Sequence, residues 1–132
     1  MKTPDIEIYV KDILLQDILD WLNLYFTNIE FPAKAAHLYA NGKAVRGTID
    51  QDENSIEVII TPKAAGKDFT SLWFKQNQTP WENDEECALS LLEQADVEIR
   101  CSAAGWNEDE AENSEQWWLL RRDEKKRINW NS

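Results

Sequence analysis

His37 is the only histidine in the chain, so it is the first residue to consider for proton transfer or metal binding. Its imidazole titrates near neutral pH and could act as an acid or a base. With Glu7 and Glu57 it would form a ligand set of two carboxylates and one histidine. The sequence shows no i, i+4 ligand spacing to support such a set. We therefore expect a structural histidine, no metal and no cofactor.

The hydroxyl and thiol groups lack the sequence patterns of nucleophilic catalysis, which needs a base beside the nucleophile. The chain contains no Gly-x-Ser-x-Gly turn and no activated-cysteine signature. Cys87 and Cys101 are the only cysteines, and they stand apart without Cys-x-x-Cys spacing. Two reduced, buried thiols are expected, with a disulfide as the alternative. No catalytic residue is predicted, and a non-enzymatic function is favoured.

Carboxylates are concentrated in one stretch of the chain. Twelve of the 25 acidic residues lie between Glu82 and Glu115, where Arg100 is the only base. The remainder holds thirteen acids and thirteen bases (25 − 12 and 14 − 1), so this stretch carries the whole net charge of −11. Nucleic acids and anionic membranes need a basic surface, which argues against both as direct ligands. A basic protein partner fits, and a solubilising acidic surface is the alternative.

Trp106 lies in a polar, acidic loop predicted for residues 105–114. The neighbouring carboxylates Glu108, Asp109 and Glu110 lack the spacing of a calcium-binding loop. Tryptophan is enriched among the residues that dominate binding energy at protein interfaces. We therefore predict that Trp106 and these carboxylates contact a partner. Folding of Trp106 back onto the core is the alternative, and it is the more common outcome for a single tryptophan.

Hydrophobic periodicity predicts the elements that position these residues. Strict alternation over residues 5–10 predicts a half-buried strand. Apolar residues then recur at helical spacing from Leu14 to Tyr25, with Asp12 as the expected N-cap. Further strands are predicted over residues 55–61, 69–75, 96–102, 115–122 and 127–130.

Two local motifs predict a hairpin and the start of a second helix. Asn41-Gly42 separates alternating runs over 36–40 and 43–50, which is a strong hairpin signal. Thr79-Pro80-Trp81-Glu82 combines an N-cap threonine, a proline at the first helical position and a glutamate two residues later. That pattern is a capping box with a proline start.

The order strand, helix, three strands therefore occurs twice. The sequence predicts an α+β fold built as a tandem pair of β-α-β-β-β units, a mostly antiparallel sheet with two helices packed on one face. Residues 1–132 are expected to form a single domain with half-repeats 1–65 and 66–132. No leader and no apolar run of the roughly 20 residues needed to span a bilayer are visible. A soluble protein of the bacterial cytoplasm is expected, and its oligomeric state is left open.

The sheet face turned away from the helices is the predicted binding surface. Successive strand residues point to opposite faces, which assigns Tyr9, His37, Tyr39, Trp73 and Arg100 to this face. Aromatic rings mixed with a few charges suit a ligand or a partner. Closure of the face on itself between the halves, or pairing with a second subunit, is the alternative.

The sequence thus predicts an interaction protein that engages a basic or amphipathic protein partner through its acidic stretch and aromatic sheet face. One alternative is a small-molecule-binding protein or metal-independent enzyme with a pocket on that face. Another is a nucleic-acid mimic that presents carboxylates in place of phosphates. A flat aromatic patch with exposed charge would favour the first function, and a concave pocket the second.

Overall fold

Within residues 5–75, 79–102 and 116–129, which the computed structural model describes, the chain forms eight strands and three helices. In chain order they are β1 Ile6–Lys11, α1 Leu15–Tyr25, β2 Asn28–Glu30, α2 Ala35–Ala40, β3 Val45–Gln51, β4 Asn54–Ala65, β5 Phe69–Phe74, α3 Asp84–Leu92, β6 Ile99–Ser102, β7 Gln116–Arg121 and β8 Glu124–Asn129. One antiparallel sheet runs in the order β2-β3-β4-β5-β1-β6-β7-β8. The predicted α+β class is confirmed.

The alternation in β1 separates the two faces of the sheet. Ile6, Ile8 and Val10 are fully buried, whereas the residues between them are half-buried. Residues paired across antiparallel strands share a face, so Ile8 and its β5 partner Leu72 point the same way. Both belong to the core into which α1 and α3 pack. The helices therefore cover one face of the sheet.

An aromatic cluster joins α1 to α3. The Trp21 ring stacks on Trp81 with ring centroids 5.2 Å apart and planes 12° from parallel. Phe74 of β5 meets both rings edge-on, at 6.0 and 5.6 Å. The indole Nε1 of Trp21 donates a hydrogen bond to Ser90 Oγ at 3.1 Å. This bond satisfies a buried polar group that would otherwise cost folding energy.

Residues 36–40 form part of α2, so the predicted hairpin is wrong. Asn41 is the C-cap of α2, and Gly42 follows with φ +75°. A left-handed residue after a helix end is a common C-terminal motif, and Asn-Gly supplies it as readily as it supplies a hairpin turn. β3 pairs instead with β4 and with the three-residue β2, which the sequence analysis did not predict.

Both longer helices begin later than predicted. α1 has Leu14 at its N-cap with no side-chain hydrogen bond, and Asp12 lies before it with φ +50°. α3 has Asn83 at its N-cap, whose side-chain oxygen accepts a hydrogen bond from the N–H of Glu86 at 2.9 Å. Thr79 lies in the turn before the helix, where its hydroxyl accepts a backbone hydrogen bond. None of the three described helices is long and apolar enough to cross a membrane.

The element order contains β-α-β-β-β twice, with α2 inserted into the first unit between β2 and β3. The two halves interlock, because β1 lies between β5 and β6. In the sheet, the two central strands β5 and β1 are flanked by β4 and β6. β4 is the last strand of the first unit, whereas β6 is the second strand of the second unit. A duplication of the chain stays a prediction.

Candidate functional site

The sheet face turned away from α1 and α3, here called the outer face, carries Glu7, Tyr9, Trp73, Arg100 and Trp117. The strand register places them together, since Tyr9 is paired with Arg100 and Glu7 with Trp73. Tyr9 meets Trp117 edge-on at 5.6 Å. The structure therefore brings together three of the five site residues predicted for this face. Alternation along the last strands also predicts that either Trp117 or Trp118 joins them, and it is Trp117 that does so.

His37 and Tyr39 do not lie on the outer face, because they belong to α2. The Tyr39 hydroxyl donates to the carbonyl oxygen of Ile13 at 2.6 Å and lies 2.9 Å from Thr70 Oγ1. Thr70 is paired with Val10, so it lies on the helix side of the sheet. His37 is exposed on α2. The prediction for these two residues is wrong, since residues 36–40 have helical rather than strand periodicity.

Glu98 is held between two arginines at one end of the outer face, and only 8% of it is exposed. Arg100 Nε and Nη2 donate to Glu98 Oε2 at 3.1 and 2.9 Å. Arg121 Nε and Nη2 donate to Glu98 Oε1 at 3.2 and 2.5 Å. Burial raises the pKa of Glu98, but the hydrogen bonds from Arg121 and Arg100 outweigh it and hold this pKa below its ordinary value. Glu98 is therefore ionised at neutral pH and cannot donate a proton there.

The other polar groups of the outer face are also engaged. Ser71 Oγ donates to Glu7 Oε2 at 2.8 Å, and Trp73 Nε1 donates to Asp5 Oδ2 at 3.1 Å. Burial, followed by the charge of Glu7, raises the pKa of Tyr9, so its phenol stays protonated at neutral pH. The side chains of Glu7 and Trp73 are thus fixed by hydrogen bonds within the domain.

Within the described parts of the chain, no group of three or more histidine, cysteine, aspartate and glutamate residues could hold a metal ion. Glu57 lies on β4, where it pairs with Arg46 at 3.5 Å and with Lys75 at 3.6 Å. Both cysteines are free and fully buried. Burial raises the pKa of Cys87 and of Cys101, which keeps their thiols protonated and poorly nucleophilic.

A second surface lies on the opposite side of the molecule. Residues 14–25 and 82–93, here called the helical layer, comprise α1, α3 and their flanking residues. They contain seven carboxylates and no lysine or arginine. Among the described residues, the exposed large hydrophobic side chains are Leu14, Leu24 and Leu89, and all three belong to this layer. The carboxylates of residues 82–93, which are part of the predicted acidic stretch, thus lie on the same side of the sheet as those of α1.

Sequence reasoning missed Arg121, which shares Glu98 with Arg100. Their contact depends on the register of β6 with β7, which pairs Arg100 with Leu119 across a long connection. Trp106, Glu108, Asp109 and Glu110, predicted to contact a partner, lie outside the described residues. No protein-family model, no curated protein and no solved structure matched this chain.

Proposed function

We propose that this protein is a non-enzymatic interaction domain whose helical layer binds a basic, amphipathic helix of a partner protein. The observation that carries the proposal is the composition of that layer, seven carboxylates without a base, beside three exposed leucines. An amphipathic helix with lysine or arginine on its polar face would complement both features.

The charge of the helical layer is largely uncompensated. Glu85 pairs with Lys125 at 2.7 Å. Within the described residues, Asp17, Asp20 and Glu86 form no ion pair, and Glu93 forms none either but lines a groove with Arg122 at the end of α3. Carboxylates grouped in this way create a negative potential that attracts a cationic partner and speeds its association.

The leucines supply the apolar part of the surface. Leu14 is 68% exposed, Leu24 is 59% exposed and Leu89 is 44% exposed. Single exposed leucines are common on proteins, but here they share a surface with unpaired carboxylates. An amphipathic partner would therefore cover the apolar area of the layer and also neutralise its charge. A purely cationic or a purely apolar partner would do only one of the two.

The outer face is the second surface predicted to bind this partner. Its Glu98, Arg100, Glu7 and Trp73 side chains already form hydrogen bonds within the domain. A partner there would have to replace satisfied bonds, and an exchanged hydrogen bond contributes little net affinity. This difference favours the helical layer.

The proposal can be tested with two fluorescent peptides that share one amphipathic pattern, one built from leucine and lysine and the other from leucine and glutamate. We expect the cationic peptide to bind, with an affinity that falls steeply between low and physiological salt, as measured by fluorescence anisotropy. The double variant Asp17→Asn/Asp20→Asn should weaken this binding about fivefold, because it removes two carboxylates of α1 that would attract the lysines of the peptide.

The matched control changes two carboxylates elsewhere, Asp52→Asn/Glu53→Gln in the turn between β3 and β4. Both residues are exposed, so the net charge changes equally. We expect this variant to bind like the wild type, and Leu24→Ser to bind more weakly. Equal weakening by both double variants would mean that the peptide senses only the total charge, and it would contradict a defined surface.

A further inference from the structure

We propose that a groove at the C-terminal end of α3 binds a small amphiphilic monocarboxylate, a carboxylate head group on an aliphatic chain. The groove has a volume of about 460 Å³ and is lined by Leu89, Leu92, Glu93, Arg121 and Arg122. This site shares Leu89 and Glu93 with the helical layer but goes beyond the proposed partner surface, because its ligand is small and anionic and the cation that holds it, Arg122, comes from the turn after β7.

Arg122 supplies the first contact for the head group. Its Nε donates to the carbonyl oxygen of Leu92 at 2.9 Å, which fixes the guanidinium beside the last turn of α3. A guanidinium has five N–H donors, and among the described residues Arg122 forms no other hydrogen bond and no ion pair. The remaining donors match the planar, two-oxygen geometry of a carboxylate.

Arg121 is held in place by a different anchor. Its Nε and Nη2 bind Glu98, which is itself almost fully buried, while half of the Arg121 side chain remains exposed. Glu98 is shared with Arg100, so these three residues together carry one net positive charge. The Arg121 guanidinium is therefore engaged on the outer face, and Arg122 is the guanidinium beside α3; because Leu92 fixes it before binding, it loses little side-chain entropy when an anion arrives.

The remaining lining residues define the class of ligand. Leu92 is 4% exposed and Leu89 is 44% exposed, so an aliphatic chain that covers Leu89 removes apolar surface from water. The volume lies within the range of small-molecule sites. Arg122 and Glu93 balance each other within the lining, and the net charge of +1 that remains is that of Arg121 together with Glu98 and Arg100. A single carboxylate balances that charge, whereas a phosphate would place excess negative charge beside Glu93.

A neighbouring cleft of about 350 Å³ also contains Arg121, and its other lining residues are Lys11, Asp12, Asp96, Val97 and Glu98. Its lining contains three carboxylates and one aliphatic side chain, so it suits neither part of this ligand. Lys11 nevertheless supplies a matched control, because it is a cation on the other side of Arg121.

The experiment is a titration with octanoate below its micelle concentration, followed by amide chemical shifts. We expect saturable shifts at residues 89–93 and 121–122. Octylammonium shares the chain and acetate shares the head group, so both should bind at least about tenfold more weakly. Arg122→Gln should weaken octanoate binding about tenfold, and Arg122→Lys should weaken it less because the charge is kept.

Lys11→Gln should leave octanoate binding unchanged. Leu89→Ser alters an exposed side chain, so it tests the apolar contact even if Arg122→Gln is poorly folded. Octylammonium binding as tight as octanoate binding would overturn the proposal, since it would show adsorption of the chain to an acidic surface. Unchanged affinity in both Arg122→Gln and Leu89→Ser would also overturn it.

Discussion

Asp84 is a partly buried carboxylate at the first position of α3, where it also completes the hydrogen bonding of β1. Its Oδ1 accepts a hydrogen bond from the backbone N–H of Glu7 at 3.1 Å. On the β6 side of β1, only Tyr9 and Val10 are paired in register with β6. Asp84 therefore accepts a hydrogen bond from a backbone N–H of β1 that β6 does not pair with. Burial raises the pKa of Asp84 to about 6, and the charges of Glu7 and Asp5 add to this effect.

The raised pKa predicts a specific dependence of stability on pH. The folded protein binds the Asp84 proton more tightly than an unfolded chain does. The stabilisation that Asp84 gives the folded state is therefore fully present below about pH 4 and is lost as pH rises through about 6. Asp84→Asn should therefore raise the free energy of unfolding at pH 7 by up to about 3 kcal/mol, less about 0.5 kcal/mol for the charge lost at a helix N-terminus.

The measurement is urea denaturation of both proteins between about pH 4 and pH 7. The difference between the two curves isolates Asp84 from the other titrating carboxylates, including Glu98, whose lowered pKa acts in the opposite direction. Asp17→Asn changes an exposed acid in the first turn of α1 and is the control. A constant difference between wild type and Asp84→Asn across this range would contradict the prediction.

At the scale of the element, the start of α3 depends on Asn83. Asn83→Ala removes the side-chain acceptor for the Glu86 N–H and should destabilise the domain by about 1 kcal/mol. Asn83→Asp keeps the acceptor and adds a charge that the helix N-terminus favours, so it should cost little. Thermal melts of the two variants test this, and equal losses would mean that the cap does not act through this hydrogen bond.

Periodicity predicted the elements whose residues contact the core in a regular pattern. The strand alternation around Ile8 and the helical spacing around Trp21 follow directly from burial on one face, and both are confirmed. The same alternation placed Tyr9, Trp73 and Arg100 on the outer face. Local motifs were less decisive, because one motif can serve two structures. Asn41-Gly42 ends a helix here instead of forming a hairpin turn. Two capping-box patterns precede α3, one beginning at Thr79 and one at Asn83, and the helix begins at the second.

Contacts between distant strands could not be predicted from local patterns. Arg121 reaches Glu98 only because β6 and β7 pair in one register, and no nearby residue specifies that register. β2 is three residues long, too short to show alternation. The groove between α3 and Arg122 likewise depends on the packing of the end of α3 against the turn between β7 and β8, which are distant in the sequence.

At the scale of the whole molecule, a net charge of −11 opposes folding through mutual repulsion. Raising sodium chloride from low to physiological concentration at pH 7 should therefore increase the melting temperature by about 2–5 °C. Near pH 4.5, the isoelectric point, the same salt should have little effect. Differential scanning calorimetry at the two pH values measures this, and an equal salt response at both would exclude repulsion as the cause.

The central position of β1 in the sheet has a consequence for how the chain folds while it is being synthesised. Its residues 6–11 pair with residues 69–74 on one side and with 99–100 on the other, so both neighbours leave the ribosome long after it does. Until then, a strand with one apolar face and two unpaired edges is exposed in the nascent chain, and such strands readily pair with other chains. Fragments that end before residue 69 should therefore aggregate, and folding should be slow because the central pairing closes a long loop.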